Sequence, residues 1–222
     1  MRKLYFVTIA LVCFSFLSNA QIRKGSVYLG GDLGYSSQKE ERLNPTPGGT
    51  NNESEQKGVS FSPSIGVAVK ENVFAGIDLS YSNTKGENLG TTNYKNKVLG
   101  AGVFLRRYFP VANKFYLFGQ IRLGYYDREY DQNYNFNADR TLEKGWGIQA
   151  GLYPGLSYNI YKSLYLEMGL NNLLQAGYES LDITRTSGFG NTSSSERKSF
   201  SIGSSLSNSS LTVGLRFILP KK

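Results

Sequence analysis

Three features of the sequence predict an all-β chain, an eight-stranded antiparallel up-and-down barrel that crosses a membrane behind a cleaved signal peptide. Apolar and polar residues alternate strictly in successive stretches. The alternating arms run about ten residues, the length a tilted strand needs to span a bilayer's hydrocarbon. Long polar stretches alternate with short turns along the chain. Strict alternation marks a strand with two different solvents on its two faces. Residues 99–126 carry the pattern most clearly, as a hairpin. One face holds Leu99, Ala101, Val103 and Leu105, then Phe115, Leu117, Ile121 and Leu123 on the return; the other holds Phe104, Arg106 and Tyr108, then Tyr116, Phe118, Gln120 and Arg122.

From the start of the chain, residues 1–20 read as a secretory signal: Arg2 and Lys3, an apolar run over 4–17, and Ser18-Asn19-Ala20 as the cleavage site. The first strand, 25–35, sets Val27, Leu29, Leu33 and Tyr35 against Tyr28, Gly30, Asp32 and Gly34. A long polar loop, 36–58, leads to the second strand, 59–69, in which Pro63 lacks a ladder donor and predicts a local bulge. Lys70-Glu71-Asn72 makes a tight turn into the third strand, 73–81, where Ala75, Ile77, Leu79 and Tyr81 oppose Gly76, Asp78 and Ser80.

A second polar loop, 82–96, precedes the hairpin that forms strands four and five, and a third, 127–144, follows it. The sixth strand, 145–158, turns over 159–163 into the seventh, 164–171, with Leu164, Leu166 and Met168 against Tyr165, Glu167 and Gly169. A last long loop, 172–198, leads to the eighth strand, where Val213, Leu215 and Phe217 oppose Thr212, Gly214 and Arg216. Phe200, Ile202 and Leu206 fall on the opposite parity, so a bulge is expected near 207–210. Aromatic residues close the apolar faces. Tyr35, Tyr81, Tyr125 and Trp146 mark a girdle at the long-loop end, and Phe109, Phe115, Tyr158 and Phe217 mark one at the turn end. The loop pattern puts both termini on the periplasmic side.

A mean hydropathy of −0.34 is no objection to a membrane barrel, because half of every strand is polar. The chain has no histidine, and its one cysteine, Cys13, lies within the signal. Catalytic triads, cysteine nucleophiles and ordinary zinc or copper sites are therefore excluded from the mature protein. No catalytic, cofactor-binding or metal-binding residues are expected: Asp127, Asp131 and Asp139 lack calcium-loop spacing, and no enzymatic carboxylate pair stands out. The net charge of +8 accompanies no nucleic-acid motif; attraction to outer-membrane lipid and anionic lipopolysaccharide or polysaccharide is the simpler reading, and a spread of solvated loop charges without a specific partner is simpler still. Tyrosine and asparagine in residues 127–137 suit a surface protein or glycan ligand.

The inward face carries Asp32, Asp78 and Glu167 with Arg106, Arg122 and Arg216. An eight-stranded barrel is only wide enough inside for side chains, so these six must neutralise one another. Depth counted from the turns predicts the pairs Glu167–Arg216 and Asp78–Arg106. The result would be a polar plug; a small porin-like diffusion channel, in which the charges part for water, is the alternative. A soluble lipocalin-like barrel would need its apolar residues inside.

The Arg107-Tyr108-Phe109-Pro110 turn, the following Lys114-Phe115-Tyr116 and the glycine-rich alternating strands resemble the small OmpA/OmpX-type barrels of the outer membrane β-barrel (porin-like) family. The resemblance covers nearly all of residues 21–222 and implies a cell outer membrane location in a Gram-negative envelope. Residues 212–219, Thr-Val-Gly-Leu-Arg-Phe-Ile-Leu, are similar to the signal by which such proteins reach the barrel-assembly machinery. The resemblance specifies the fold and leaves the role open among scaffolds, adhesins and pores.

Overall fold

The computed structural model describes residues 22–42, 52–88, 92–134, 139–170, 173–204 and 211–221; the expected signal peptide and the bulge near 207–210 lie outside them. The strands are β1 (Val27–Arg42), β2 (Asn52–Lys70), β3 (Val73–Asn88), β4 (Thr92–Ala112), β5 (Phe115–Tyr134), β6 (Asp139–Tyr161), β7 (Leu164–Leu170), β8 (Leu174–Thr186), β9 (Thr192–Gly203) and β10 (Leu211–Leu219). These ten segments make an eight-stranded antiparallel barrel. β7 pairs with the turn end of β6 and β8 with its far end, so the two are halves of the seventh strand. β10 and β9 continue the eighth strand along β7 and β8. The ring closes where β10 pairs with β1, from Val27↔Leu219 to Gly31↔Leu215.

Alternation sorts the side chains as a bilayer requires. Ile77, Val103 and Ile121 point outward and are 58%, 55% and 61% exposed, whereas Tyr28, Phe74, Tyr108, Arg106 and Glu167 point inward and are buried. A soluble barrel would reverse this order, and an apolar belt on every wall would be an aggregation surface in water. In lipid the closed ladder leaves no edge at the turn end, and the belt faces its proper solvent.

The four long loops are the main correction. β1 runs to Arg42, β2 begins at Asn52, β3 and β4 extend the hairpin to Asn88 and Thr92, and β5 and β6 extend theirs to Tyr134 and Asp139. Residues 127–137, read as a sticky loop, are thus mostly strand. Beyond the outer girdle both faces of a strand are wet, so apolar alternation vanishes while the backbone ladder continues. β8 departs from the pattern for a different reason: Leu181 and Ile183 are buried on the inward side there, whereas the apolar face of the membrane band points outward.

Pro63 also differs from expectation. Phe61↔Tyr81 and Ser64↔Asp78 keep one register across it, so there is no bulge; the rungs to Leu79 and Ser80 are simply missing. The register shifts fall instead beside the short turns, at Ala68/Lys70, Pro110/Ala112 and Asn159/Tyr161. Each turn carries a left-handed residue, Asn72, Lys114 or Lys162, with φ of 59°, 70° and 43°. The parity switch in the eighth strand is present: Phe200 and Ile202 face outward in β9, as do Val213, Leu215 and Phe217 in β10.

Candidate functional site

The lumen is the site where charge and burial concentrate. At the turn end it is filled by Tyr28, Phe74, Phe104, Tyr108, Phe118 and Tyr165, with Tyr116 and Ile218 beside them. Tyr28 packs edge-on to Phe104 at 5.6 Å between ring centroids, and Phe74 edge-on to Tyr108 at 5.8 Å. Ile22 tucks beneath these rings, tied by its N–H to Asn72 Oδ1 at 2.9 Å and by its carbonyl to Asn72 N at 3.0 Å. Phe74 shares parity with Gly76 and Asp78, the one signal in the sequence that places it inside.

The charges rest on this aromatic floor. Glu167 on β7 takes Arg106 Nη1 at 2.6 Å from the opposite wall and Arg216 Nε at 3.3 Å from the neighbouring strand, and it accepts the Tyr108 hydroxyl at 2.5 Å. Arg106 also donates to Gln120 Oε1 at 2.7 Å, and its guanidinium lies 4.4 Å from the Phe118 ring centre. Arg216 reaches Asp32 at 2.7 Å, the Tyr28 hydroxyl at 2.7 Å and the Gly31 carbonyl at 2.7 Å. One carboxylate thus sits between two guanidiniums, each of which donates to further oxygen acceptors, as a buried ion cluster requires.

The pair Glu167–Arg216 is in place, but Asp78 pairs with Arg122, at 2.5 Å and through both carboxylate oxygens, rather than with Arg106. Asp78 lies opposite Gly102, while Arg106 lies opposite Phe74, four residues nearer the turn. That offset is about 13 Å along a strand, beyond direct reach. Arg122 succeeds from β5 because Gly102 and Gly124 leave its path clear: a Cβ on either would meet the guanidinium within 3 Å. A polar cavity of about 580 Å³ opens onto the network and is lined by its Arg106, Arg122, Glu167 and Arg216 as well as by Ser60, Ser62, Ser64, Ser80, Gln149 and Tyr153, among others. Asp127, Asp131 and Asp139 are not gathered: they engage Tyr125, Arg140 and the Gly188 N–H separately.

The outer aromatic residues lie on the outward face as two bands. Tyr125 stacks on Trp146 at 6.2 Å, and Trp146 meets Tyr178 at 5.8 Å, a girdle member hidden in what was read as loop. Phe115 meets Tyr158 at 4.6 Å at the turn end, and Arg107 covers Phe109 at 4.9 Å. Tyr35 and Phe217 are exposed, Tyr81 half-buried.

An inverted barrel with an apolar belt outside and charges inside agrees with what sequence comparison finds: a family model described as the outer membrane protein beta-barrel domain matches residues 6–217. The chain belongs to this family. It is accordingly an outer membrane β-barrel protein. Among solved structures it is similar to the outer membrane protein OprG from Pseudomonas aeruginosa, with 10% identity, coverage of 90% of this chain and 98% of that one, and a TM-score of 0.49. Neisserial surface protein A is similar at 16% identity, 86% and 96% coverage and a TM-score of 0.36. A major outer membrane protein from Thermus thermophilus is similar at 12%, 90% and 100%, and 0.40. No curated protein gives a significant match.

Proposed function

We propose that this protein is a non-enzymatic, plugged barrel that anchors an extended strand rim at the surface of a Gram-negative cell, for envelope integrity or adhesion. The observation that carries the reading is the turn end of the lumen, where an aromatic floor lies under the Arg106–Glu167–Arg216 cluster. In this reading the short turns and both termini are periplasmic, and the far ends of β1 to β9 stand outside. Residues 212–219 fall wholly within β10, the strand that closes the ring, which suits a segment recognised by the barrel-assembly machinery. Lipid and lipopolysaccharide surround the belt, and a surface protein or glycan would meet the rim.

Planar-bilayer conductance of refolded protein tests the plug. Protein shown to be folded by its heat-modifiable gel mobility is expected to be silent. Steady ohmic steps would overturn the plug in favour of a small diffusion channel, for which the cavity above Arg122 would be the vestibule.

A further inference from the structure

Most charges on the outward face of the rim are matched with an opposite charge. Lys144 lies 3.4 Å from Glu129, Arg140 2.7 Å from Asp131 and Lys198 2.8 Å from Glu196. One sector breaks this order. Lys57 stands directly opposite Lys85, and Lys85 directly opposite Lys95, so three lysines form one row across β2, β3 and β4. Lys97 follows on the same face of β4, two residues nearer the membrane. Lys57 is bound to Glu55 at 2.5 Å, whereas Lys85, Lys95 and Lys97 make no ion pair among the described residues: Lys95 and Lys97 stand opposite Asp131 and Glu129, but those carboxylates are engaged by Arg140 and Lys144. Like charges directly opposite on neighbouring strands destabilise a sheet, so this row costs stability unless an anion occupies it.

Its position indicates which anion. One cross-strand step below the row lie Tyr35 and Val59, and the next step is Phe61, Tyr81 and Leu99, the top of the apolar belt. Lys97 is about 7 Å along the strand from Leu99, so the ammonium groups stand at headgroup height above lipid-facing side chains. A groove of about 620 Å³ joins the two zones, running over backbone at Gly58 and Gly86 between Lys57, Lys85 and Lys95 and down to Tyr35 and Val59. Glu55 and Glu87 sit on the side away from the membrane, and Asp131, bound to Arg140, closes the groove at β5, which leaves its membrane side over β2 to β4 basic.

We propose that Lys85, Lys95 and Lys97 bind the phosphorylated headgroup of an outer-leaflet glycolipid, with its acyl chains along the belt of β2 to β4. Lysine ammoniums supply charge-assisted hydrogen bonds to phosphate oxygens, and the groove and belt supply the apolar half of the site. The lipid source rests on the proposed orientation. Binding in detergent reads the row whatever the orientation, and conductance reads only the plug, so the two readings can fail separately.

The test is native mass spectrometry of purified, refolded protein in detergent with diphosphoryl lipid A, the dephosphorylated lipid, and inorganic phosphate as competitor. A retained one-to-one diphosphoryl lipid A adduct is expected. Binding should weaken about tenfold or more for the dephosphorylated lipid and for Lys85→Ala/Lys95→Ala/Lys97→Ala. Lys85→Glu, which turns a repulsive neighbour of Lys57 and Lys95 into an attractive one, should fold at least as well and lose binding too. Equal binding by folded triple variant, equal binding of the dephosphorylated lipid, or full displacement by millimolar inorganic phosphate would each overturn the proposal.

Discussion

Glu167 is the residue on which the lumen depends most. Its side chain is 3% exposed, and among the described residues it is the only carboxylate that Arg106 meets, while Arg216 has Asp32 as well. Glu167→Gln leaves Arg106 buried with a neutral partner, and the expected loss is about 3–5 kcal/mol, the cost of breaking a buried pair from one side. Asp78→Asn should cost less, because the Arg122 and Asp78 side chains are 18% and 11% exposed, against 6% and 3% for Arg106 and Glu167. Urea unfolding in detergent, followed by gel mobility, should rank Glu167→Gln below Asp78→Asn. A reversed order would mean that water reaches Glu167 and that the floor is not dry.

At the scale of the element, β2 keeps its register across Pro63 at the expense of the rungs to Leu79 and Ser80. Within hydrocarbon a missing backbone donor has no water to replace it. Pro63→Val supplies an N–H and a side chain suited to the lipid face, and should raise the unfolding free energy by about 1 kcal/mol, and the midpoint with it, with the register unchanged. A lower midpoint would mean that the proline shapes the strand beside Gly31. Strand length follows from the same ladder logic. β5 has 20 residues, but crossing ends near Tyr125, so about 30 Å of strand stands beyond the girdle. Its cross-strand partners there, such as Lys97↔Glu129 on β4 and Glu129↔Lys144 on β6, are charged groups on a wet face.

For the whole molecule, the lipid-embedded band and the wet rim should respond differently to acid. Hydrogen bonds from Arg140 hold the Asp131 carboxyl below the usual carboxylate range, and Lys57 and Lys198 do the same for Glu55 and Glu196. A folded-state value below the unfolded one gives stability that is complete above the unfolded value, about pH 4, and is lost as pH falls through the folded value. The unfolding midpoint should therefore drop as pH falls below about 4, and Asp131→Asn should show a shallower drop there. Parallel curves for the two proteins would mean that the rim pair adds nothing to stability.

The sequence by itself determined the membrane band. Alternation in residues 25–35, 59–69, 73–81 and 99–126 reports two solvents directly, and the aromatic residues at its ends report the interfaces. The inward parity of Asp32, Asp78, Glu167, Arg106, Arg122 and Arg216 was legible by the same count. Only the tertiary structure decided which charges meet, because Arg106–Glu167 and Arg122–Asp78 span strands that are not neighbours, and a long side chain over glycines can bridge what a depth count cannot follow. The tertiary structure also decided where the strands end: outside lipid one solvent wets both faces, and a ladder can continue with no periodic trace in the sequence. The lysine row emerged in the same way, since Lys57, Lys85 and Lys95 are distant along the chain and become neighbours only through the register of β2, β3 and β4.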